Sequence, residues 1–232
     1  DGPLNVSGAT TIDGYTTDAT RYLTLTVAGA NDVASGVSQR HRGRAGTGAA
    51  LELQSTIGNY VLRVLDPYTR VEWLEIDGND YTTWAGIWVD PTANDTLLRQ
   101  LLVHDVENTG TSQSDGFGIA VDGDRTIIRN CIVYEYGEDG IHVTAGSVLV
   151  QNTTLYRSTQ TSNIGEALQV ASGNSATAQN VIATDSGFYS EGTLTCFNSI
   201  SSDDSATSAT GCGTGGTGNR TNRSAAILFV SI

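Results

Sequence analysis

The sequence predicts an all-β solenoid of stacked parallel coils, and three observations predict it. A short phrase recurs along the chain in the order apolar, polar, amide, any residue, apolar. A second phrase, a four-residue strand usually introduced by glycine, precedes the first at a nearly constant distance. No window carries a sustained i, i+3, i+4, i+7 apolar pattern, which removes helical bundles and doubly wound α/β architectures.

The first phrase appears as Ile128-Arg129-Asn130-Cys131-Ile132, Val150-Gln151-Asn152-Thr153-Thr154, Ala178-Gln179-Asn180-Val181-Ile182 and Cys196-Phe197-Asn198-Ser199-Ile200. Leu98-Arg99-Gln100-Leu101-Leu102 fits with Gln in place of Asn, and Val71-Glu72-Trp73-Leu74-Glu75 is a weaker form. The second phrase appears as Gly86-Ile87-Trp88-Val89, Gly118-Ile119-Ala120-Val121, Gly140-Ile141-His142-Val143 and Ala167-Leu168-Gln169-Val170, with Gly187-Phe188-Tyr189-Ser190 degenerate. From the end of this strand to the amide the gap is 8 to 11 residues. From amide to amide the spacing is 30, 22, 28 and 18 residues, because the loops between units vary.

A unit of two or three short strands cannot bury its own apolar side. Stacked in parallel at about 4.8 Å per coil, the units share one core, and each strand pairs with the coils above and below. An amide between two inward apolar positions suits a tight bend, since Asn tolerates left-handed backbone angles. In register, Gln100, Asn130, Asn152, Asn180 and Asn198 are expected to form a hydrogen-bonded ladder.

Composition agrees and narrows the function classes. The 232 residues hold 27 glycines, 31 threonines, 25 acidic and 12 basic side chains, and neither lysine nor methionine. A net charge of −13 argues against nucleic-acid binding, which needs clustered Lys and Arg. No apolar run approaches the ~20 residues of a membrane span, so no membrane insertion is expected. The chain begins at Asp1 with no charged-then-apolar leader, so any signal peptide is expected to be gone already.

The kernel phrase, the Gly-Ile-x-Val strand and the Asn column resemble right-handed parallel β-helix proteins of the pectin-lyase-like superfamily. The likeness covers roughly residues 58–205 and implies a single-stranded right-handed helix of about six or seven coils. Ile12-Asp13-Gly14-Tyr15-Thr16-Thr17-Asp18, Arg40-His41-Arg42-Gly43 and Tyr68-Thr69-Arg70-Val71-Glu72-Trp73-Leu74 are similar to β-helix proteins of environmental phage and bacteria. That likeness implies a virion or cell-surface setting. The family usually has Gly and Leu where this chain has Trp73 and Leu74. On this reading residues 1–57 are an N-terminal cap with first strands, including Leu23–Val27 and Ala50–Leu53, and 58–205 are coils. Residues 206–232 are a Gly-rich loop and an apolar C-terminal strand, all one continuous domain. A mobile loop is expected over 203–224, and the strand at 225–232 is expected to cap the helix or to mediate self-association.

The resemblance also implies a carbohydrate groove on the outer face of the first strand of each coil. Strand alternation places Trp88, Ala120, His142 and Gln169 outward, followed by Asp90, Asp122, Thr144 and Ala171. An exposed Trp88 beside carboxylates is a candidate sugar platform, with Asp90, Asp122, His142 and Gln169 as further ligand-binding residues. Candidates for catalysis are Asp122, Asp139, His142 and Glu166. Asp122 with Asp139, or Asp139 with Glu166, are the carboxylate pairs that glycoside hydrolysis would use, and His142 beside Asp139 is a possible general acid or base. Lysine is absent from the chain, and from sequence no arginine is expected near the Trp88 column. His41, among Arg40, Arg42 and Arg44, reads as a solvated basic loop or an anion contact.

Asp77-Gly78-Asn79-Asp80 and Asp122-Gly123-Asp124 offer oxygen ligands on turns, so Asp77, Asp80, Asp122 and Asp124 are weak Ca²⁺ candidates, with ordinary turn chemistry as the plainer reading. Three histidines far apart in sequence, without Cys at ligand spacing, argue against a zinc site. Cys131 reads as a core thiol, and Cys196 with Cys212 is a candidate disulfide in an oxidising compartment. The leading expectation is therefore a non-enzymatic extracellular structural or adhesive module of a virion or cell surface, self-associating and glycan-binding. The alternative is a polysaccharide-degrading enzyme, a lyase or glycoside hydrolase, with its site on the first parallel sheet.

Overall fold

In the computed structural model the chain winds as a parallel β-helix with three parallel sheets of seven, seven and eight strands. The structure describes residues 4–6, 10–55, 59–107, 115–157, 165–213 and 215–223. The first sheet stacks Thr10–Ile12, Tyr60–Val64, Ala85–Val89, Phe117–Val121, Ile141–Val143, Leu168–Val170 and Phe188–Ser190. The second stacks Leu23–Thr26, Thr69–Glu72, Leu97–Arg99, Thr126–Arg129, Ser147–Gln151, Ser175–Gln179 and Thr193–Phe197. The third stacks Leu4–Val6, Ala50–Leu53, Glu75–Thr82, Leu102–Glu107, Ile132–Tyr134, Thr154–Tyr156, Ile182–Thr184 and Ile200–Ser201. One 3₁₀ turn, Ala30–Asp32, accompanies them, and no helix of the described residues is long and apolar enough to cross a membrane.

Residue type repeats from coil to coil because parallel register puts the same position of each unit in one column. On the first sheet Val64, Val89, Val121, Val143 and Val170 align and are fully buried. On the second sheet Val71, Leu98, Ile128, Val150, Ala178 and Cys196 align in the same way. The series ends on small residues, as does the third-sheet series Leu155, Ala183, Ser201, so the core tapers toward the C-terminal end. The glycine that introduces the Ile-x-Val strand also has a steric cause. A β-carbon on Gly118 would lie 2.6 Å from the Gly140 carbonyl oxygen, and one on Gly140 would lie 2.7 Å from that of Ala167.

The amide column sits at the bend between the second and third sheets. Gln100, Asn130, Asn152, Asn180 and Asn198 all have φ between 49° and 55°, the left-handed region that Asn tolerates. Asn152 donates its amide N–H to Asn130 Oδ1 at 3.2 Å, and Asn180 donates to Asn152 Oδ1 at 2.9 Å. Trp73 occupies the same bend one coil earlier with φ of 63°. That angle lies in the left-handed region that favours glycine.

Leu4–Val6, Thr10–Ile12 and Leu23–Thr26 pair into the three sheets, so the N-terminal segment supplies a coil. One expectation about the C-terminal end changes. Residues expected as a mobile loop include a run of hydrogen-bonded turns instead. Cys212 N–H donates to the Ser205 carbonyl at 3.0 Å, Ala206 and Cys212 are fully buried, and Cys196 and Cys212 form a disulfide. The turns close over the tapered core, which sequence composition alone does not reveal. The apolar strand expected over 225–232 lies outside the described residues.

Candidate functional site

Register on the first sheet places Arg63, Trp88, Ala120, His142, Gln169 and Tyr189 in one outward column. The outer face is not uniformly polar. Ala85, Phe117 and Ala120 are buried beneath Trp84 and Trp88, which form a second, small apolar cluster outside the barrel. Trp84 meets Trp88 edge-on at 5.0 Å and Phe117 at 5.8 Å between ring centroids.

Trp88 is half-buried rather than exposed, because Arg63 lies over it. The guanidinium sits 4.0 Å from the Trp88 ring centroid and pairs with Asp90 through both Nε and Nη2. This corrects the expectation that no arginine lies near Trp88. The interval between residues 63 and 88 in sequence conceals it, whereas coil stacking makes the two neighbours. Burial opposes ionisation of Asp90, but its bonds from Arg63 and Thr92 outweigh burial and hold the carboxyl below its ordinary value. On the other side, the Trp88 indole N–H donates to Asp122 Oδ2 at 2.7 Å, and the Thr144 hydroxyl donates to Asp122 Oδ1. Burial nevertheless pushes the Asp122 carboxyl upward. Asp124, in contrast, accepts from Ser147 and pairs with Arg125, so these two calcium candidates do not converge.

Two coils beyond Trp88, His142 packs against Phe117 with ring centroids 4.5 Å apart. Its Nδ1 lies 2.5 Å from Asp139 Oδ2, and Asp139 is fully buried with its other oxygen accepting the Glu166 amide at 2.7 Å. Such a partner fixes the imidazole and leaves Nε2 as the nitrogen able to accept a proton. The His142 side chain keeps 13% exposure, enough to meet a ligand. Asp139 is thus a positioning residue. It is fully buried behind the imidazole, so neither proposed carboxylate pair presents the two accessible acids that hydrolysis requires.

Sequence reasoning overlooked Glu138. It is buried, its Oε2 has no hydrogen-bond partner among the described residues, and it feels the charges of Asp139, Arg157, His142 and Glu166. Burial, with Asp139 beside it, raises its carboxyl to about 7. Burial also raises Glu166, whose Oε2 accepts from the Gly187 amide at 3.3 Å. A buried acid preceding Asp139 has no signature in sequence beyond the Glu-Asp-Gly run, which reads as a turn.

The remaining candidates separate. His41 is buried and clasped: its Nε2 lies 2.7 Å from the Gln100 carbonyl and its Nδ1 accepts from the Gly43 amide. It anchors its loop and is not the solvated basic contact expected. Asp77 faces His104 on the third sheet, while Asp80 is exposed on the bulge of the same strand. Cys131 is a free, buried thiol, pushed up to about 12 by burial.

No family model matches the sequence, and no curated protein matches it. Among solved structures the fold is similar to the alginate lyase from Paenibacillus sp. str. FPU-7, with a TM-score of 0.59 and 17% identity. The match covers 86% of this chain and 66% of that one, so this chain spans just under two thirds of the lyase. The parallel β-helix fold is thereby supported at the level of structure. The leading expectation of a non-enzymatic structural or adhesive module is corrected here. The solved structure to which the fold is similar is that of an alginate lyase, and the outer first sheet carries a held histidine that the structural reading does not require.

Proposed function

We propose that the chain is a polysaccharide-degrading enzyme, cleaving a uronate-containing glycan by β-elimination on the outer face of the first sheet. The carrying observation is the His142–Asp139 pair, a partly exposed imidazole held by a buried carboxylate. In the proposed step His142 Nε2 removes the proton on the carbon bearing the uronate carboxylate. The electron pair forms a carbon–carbon double bond, the glycosidic C–O bond breaks, and the leaving oxygen takes a proton from Asp122. Asp122 suits that task because burial raises it toward the protonated form. It lies opposite Thr144, which follows His142 by two residues and so points the same way.

Elimination is favoured over hydrolysis because one base on one face suffices, whereas Asp139 is fully buried behind His142 and out of a substrate's reach. Arg63 stands three ladder steps from His142, about 14 Å at ~4.8 Å per strand. At that distance it serves a remote sugar, its guanidinium offering a carboxylate the fork it now shares with Asp90. The Cys196–Cys212 disulfide supports an oxidising, extracellular setting.

The test is incubation with alginate, polygalacturonate and a neutral glucan, following unsaturated ends by ultraviolet absorbance and reducing ends in parallel. Unsaturated products from a polyuronate, lost by at least ~100-fold in His142→Ala with the fold intact, are expected from removal of a general base. Reducing ends without unsaturation would overturn elimination in favour of hydrolysis. No cleavage of any substrate would overturn the enzymatic reading.

A further inference from the structure

The outer face of the third sheet carries a second group of chemistry-bearing side chains, on the wall of the coil away from the first sheet. His104 and Asp77 are register partners on adjacent strands, and Glu75 lies two residues before Asp77 on the same face. His104 Nε2 lies 3.0 Å from Glu75 Oε1, and its Nδ1 lies 3.8 Å from Asp77 Oδ1 and 2.7 Å from Asp105 Oδ2. Tyr134 stacks on the imidazole with centroids 5.1 Å apart and planes 14° apart. His104 and Glu75 are 1% and 2% exposed. Three carboxylates therefore surround one imidazole, Asp77 and Asp105 at the partly exposed rim and Glu75 buried beneath, and even a doubly protonated imidazole leaves an excess of negative charge.

The orphaned atom decides what is missing. Glu75 Oε1 accepts from the Gly46 amide at 2.8 Å, but Glu75 Oε2 is buried without a hydrogen-bond partner among the described residues. A buried carboxylate oxygen left unmatched beside two further carboxylates is costly unless a cation meets it. One ligand atom each from Glu75, Asp77 and His104 lie within 4.8 Å of one another. Ligand distances of ~2.0–2.2 Å in a tetrahedral site put donor atoms ~3.3–3.6 Å apart, so the side chains close by up to roughly 1.5 Å around the ion. Asp105 takes the Nδ1 proton, the outer hydrogen bond by which a carboxylate orients a metal-binding imidazole.

We propose that Glu75, Asp77 and His104 bind one divalent transition-metal ion, Zn²⁺ or Mn²⁺. An imidazole with two carboxylates suits these ions better than Ca²⁺, which takes six to eight oxygens. The ion ties the strand Glu75–Thr82 to Leu102–Glu107 and, through the Gly46 contact, holds the loop over residues 40–48 against the sheet. Its role is structural, and its binding is independent of any cleavage on the first sheet.

Calorimetric titration of the chelator-stripped full chain with Zn²⁺, Mn²⁺ and Ca²⁺, each alone, tests the site without reading activity. One Zn²⁺ or Mn²⁺ per chain is expected, at least tenfold tighter than Ca²⁺ and accompanied by a higher melting temperature. Glu75→Gln and Asp77→Asn should each weaken binding at least tenfold. In case either variant fails to fold, Co²⁺ loaded into the unmutated chain reads the ligands directly, and nitrogen–oxygen d–d bands are expected. Absence of 1:1 binding, tighter Ca²⁺ than Zn²⁺ and Mn²⁺, unchanged affinity in both folded variants, or a thiolate charge-transfer band would overturn the proposal.

Discussion

Glu138 shows how one side chain can set a pH dependence. Its carboxyl is 4% exposed and burial raises it from 4.5 to about 7, so the folded state binds a proton that the unfolded state releases between those values. Stability contributed by this protonation is full below pH 4.5 and is lost as pH rises through about 7. The shift corresponds to roughly 3 kcal/mol at most. Glu138→Gln removes the ionisation, so the variant should match the parent near pH 4.5 and exceed it by up to roughly 3 kcal/mol at pH 8. Denaturant melts at the two pH values check this; an equal difference at both would contradict it. Neither Glu138 nor Arg63 stands out in the sequence. Glu138 matters because of the charges that coil stacking brings around it, and Arg63 because the register Arg63–Trp88 makes them neighbours. His142 and Asp139, three residues apart at the start of one strand, were legible as a pair, although which of them meets the ligand required burial to decide.

At the scale of the element, the bend between second and third sheets couples a backbone requirement to a side-chain ladder. Asn152 has φ of 49°, donates to Asn130 and accepts from Asn180. Asn152→Ala loses both amide contacts, each contributing about 1 kcal/mol, and keeps a β-carbon at a left-handed angle without the polar side chain by which Asn tolerates it, costing roughly 1 kcal/mol more. Asn152→Gly loses the contacts but relaxes the angle. Equilibrium unfolding should therefore rank the parent above Gly and Gly above Ala, with Ala about 2–3 kcal/mol below the parent. Equal destabilisation by the two would mean that the left-handed angle carries no cost. This part of the fold was readable because a bend with fixed φ restricts residue choice in every coil. The closing turns over 203–213 were not, since they occur once and their Ser, Thr and Asp composition resembles that of an open loop. Their order comes from contacts distant in sequence, the Cys196–Cys212 bond and the burial of Ala206.

The whole molecule carries a net charge of −13, and the proposed substrate is itself a polyanion. Two electrostatic effects then compete on encounter. Repulsion by the summed charge acts over tens of ångströms, whereas attraction to Arg63 acts at contact. The screening length falls from about 30 Å at 0.01 M salt to about 8 Å at 0.15 M. Added salt therefore removes most of the long-range repulsion while it weakens a direct, partly desolvated guanidinium–carboxylate contact much less. The efficiency kcat/KM on a polyuronate should accordingly rise several-fold between these two salt concentrations, the reverse of the fall seen when a basic protein meets a polyanion. Arg63→Gln should lower activity at both concentrations yet keep the same rising slope, because the slope belongs to the whole surface and the offset to one side chain. Initial rates across a salt series for both proteins separate the two effects. A falling slope in the parent would mean that the local field of Arg63 and its neighbours, rather than the acidic outer walls, governs approach to the first sheet.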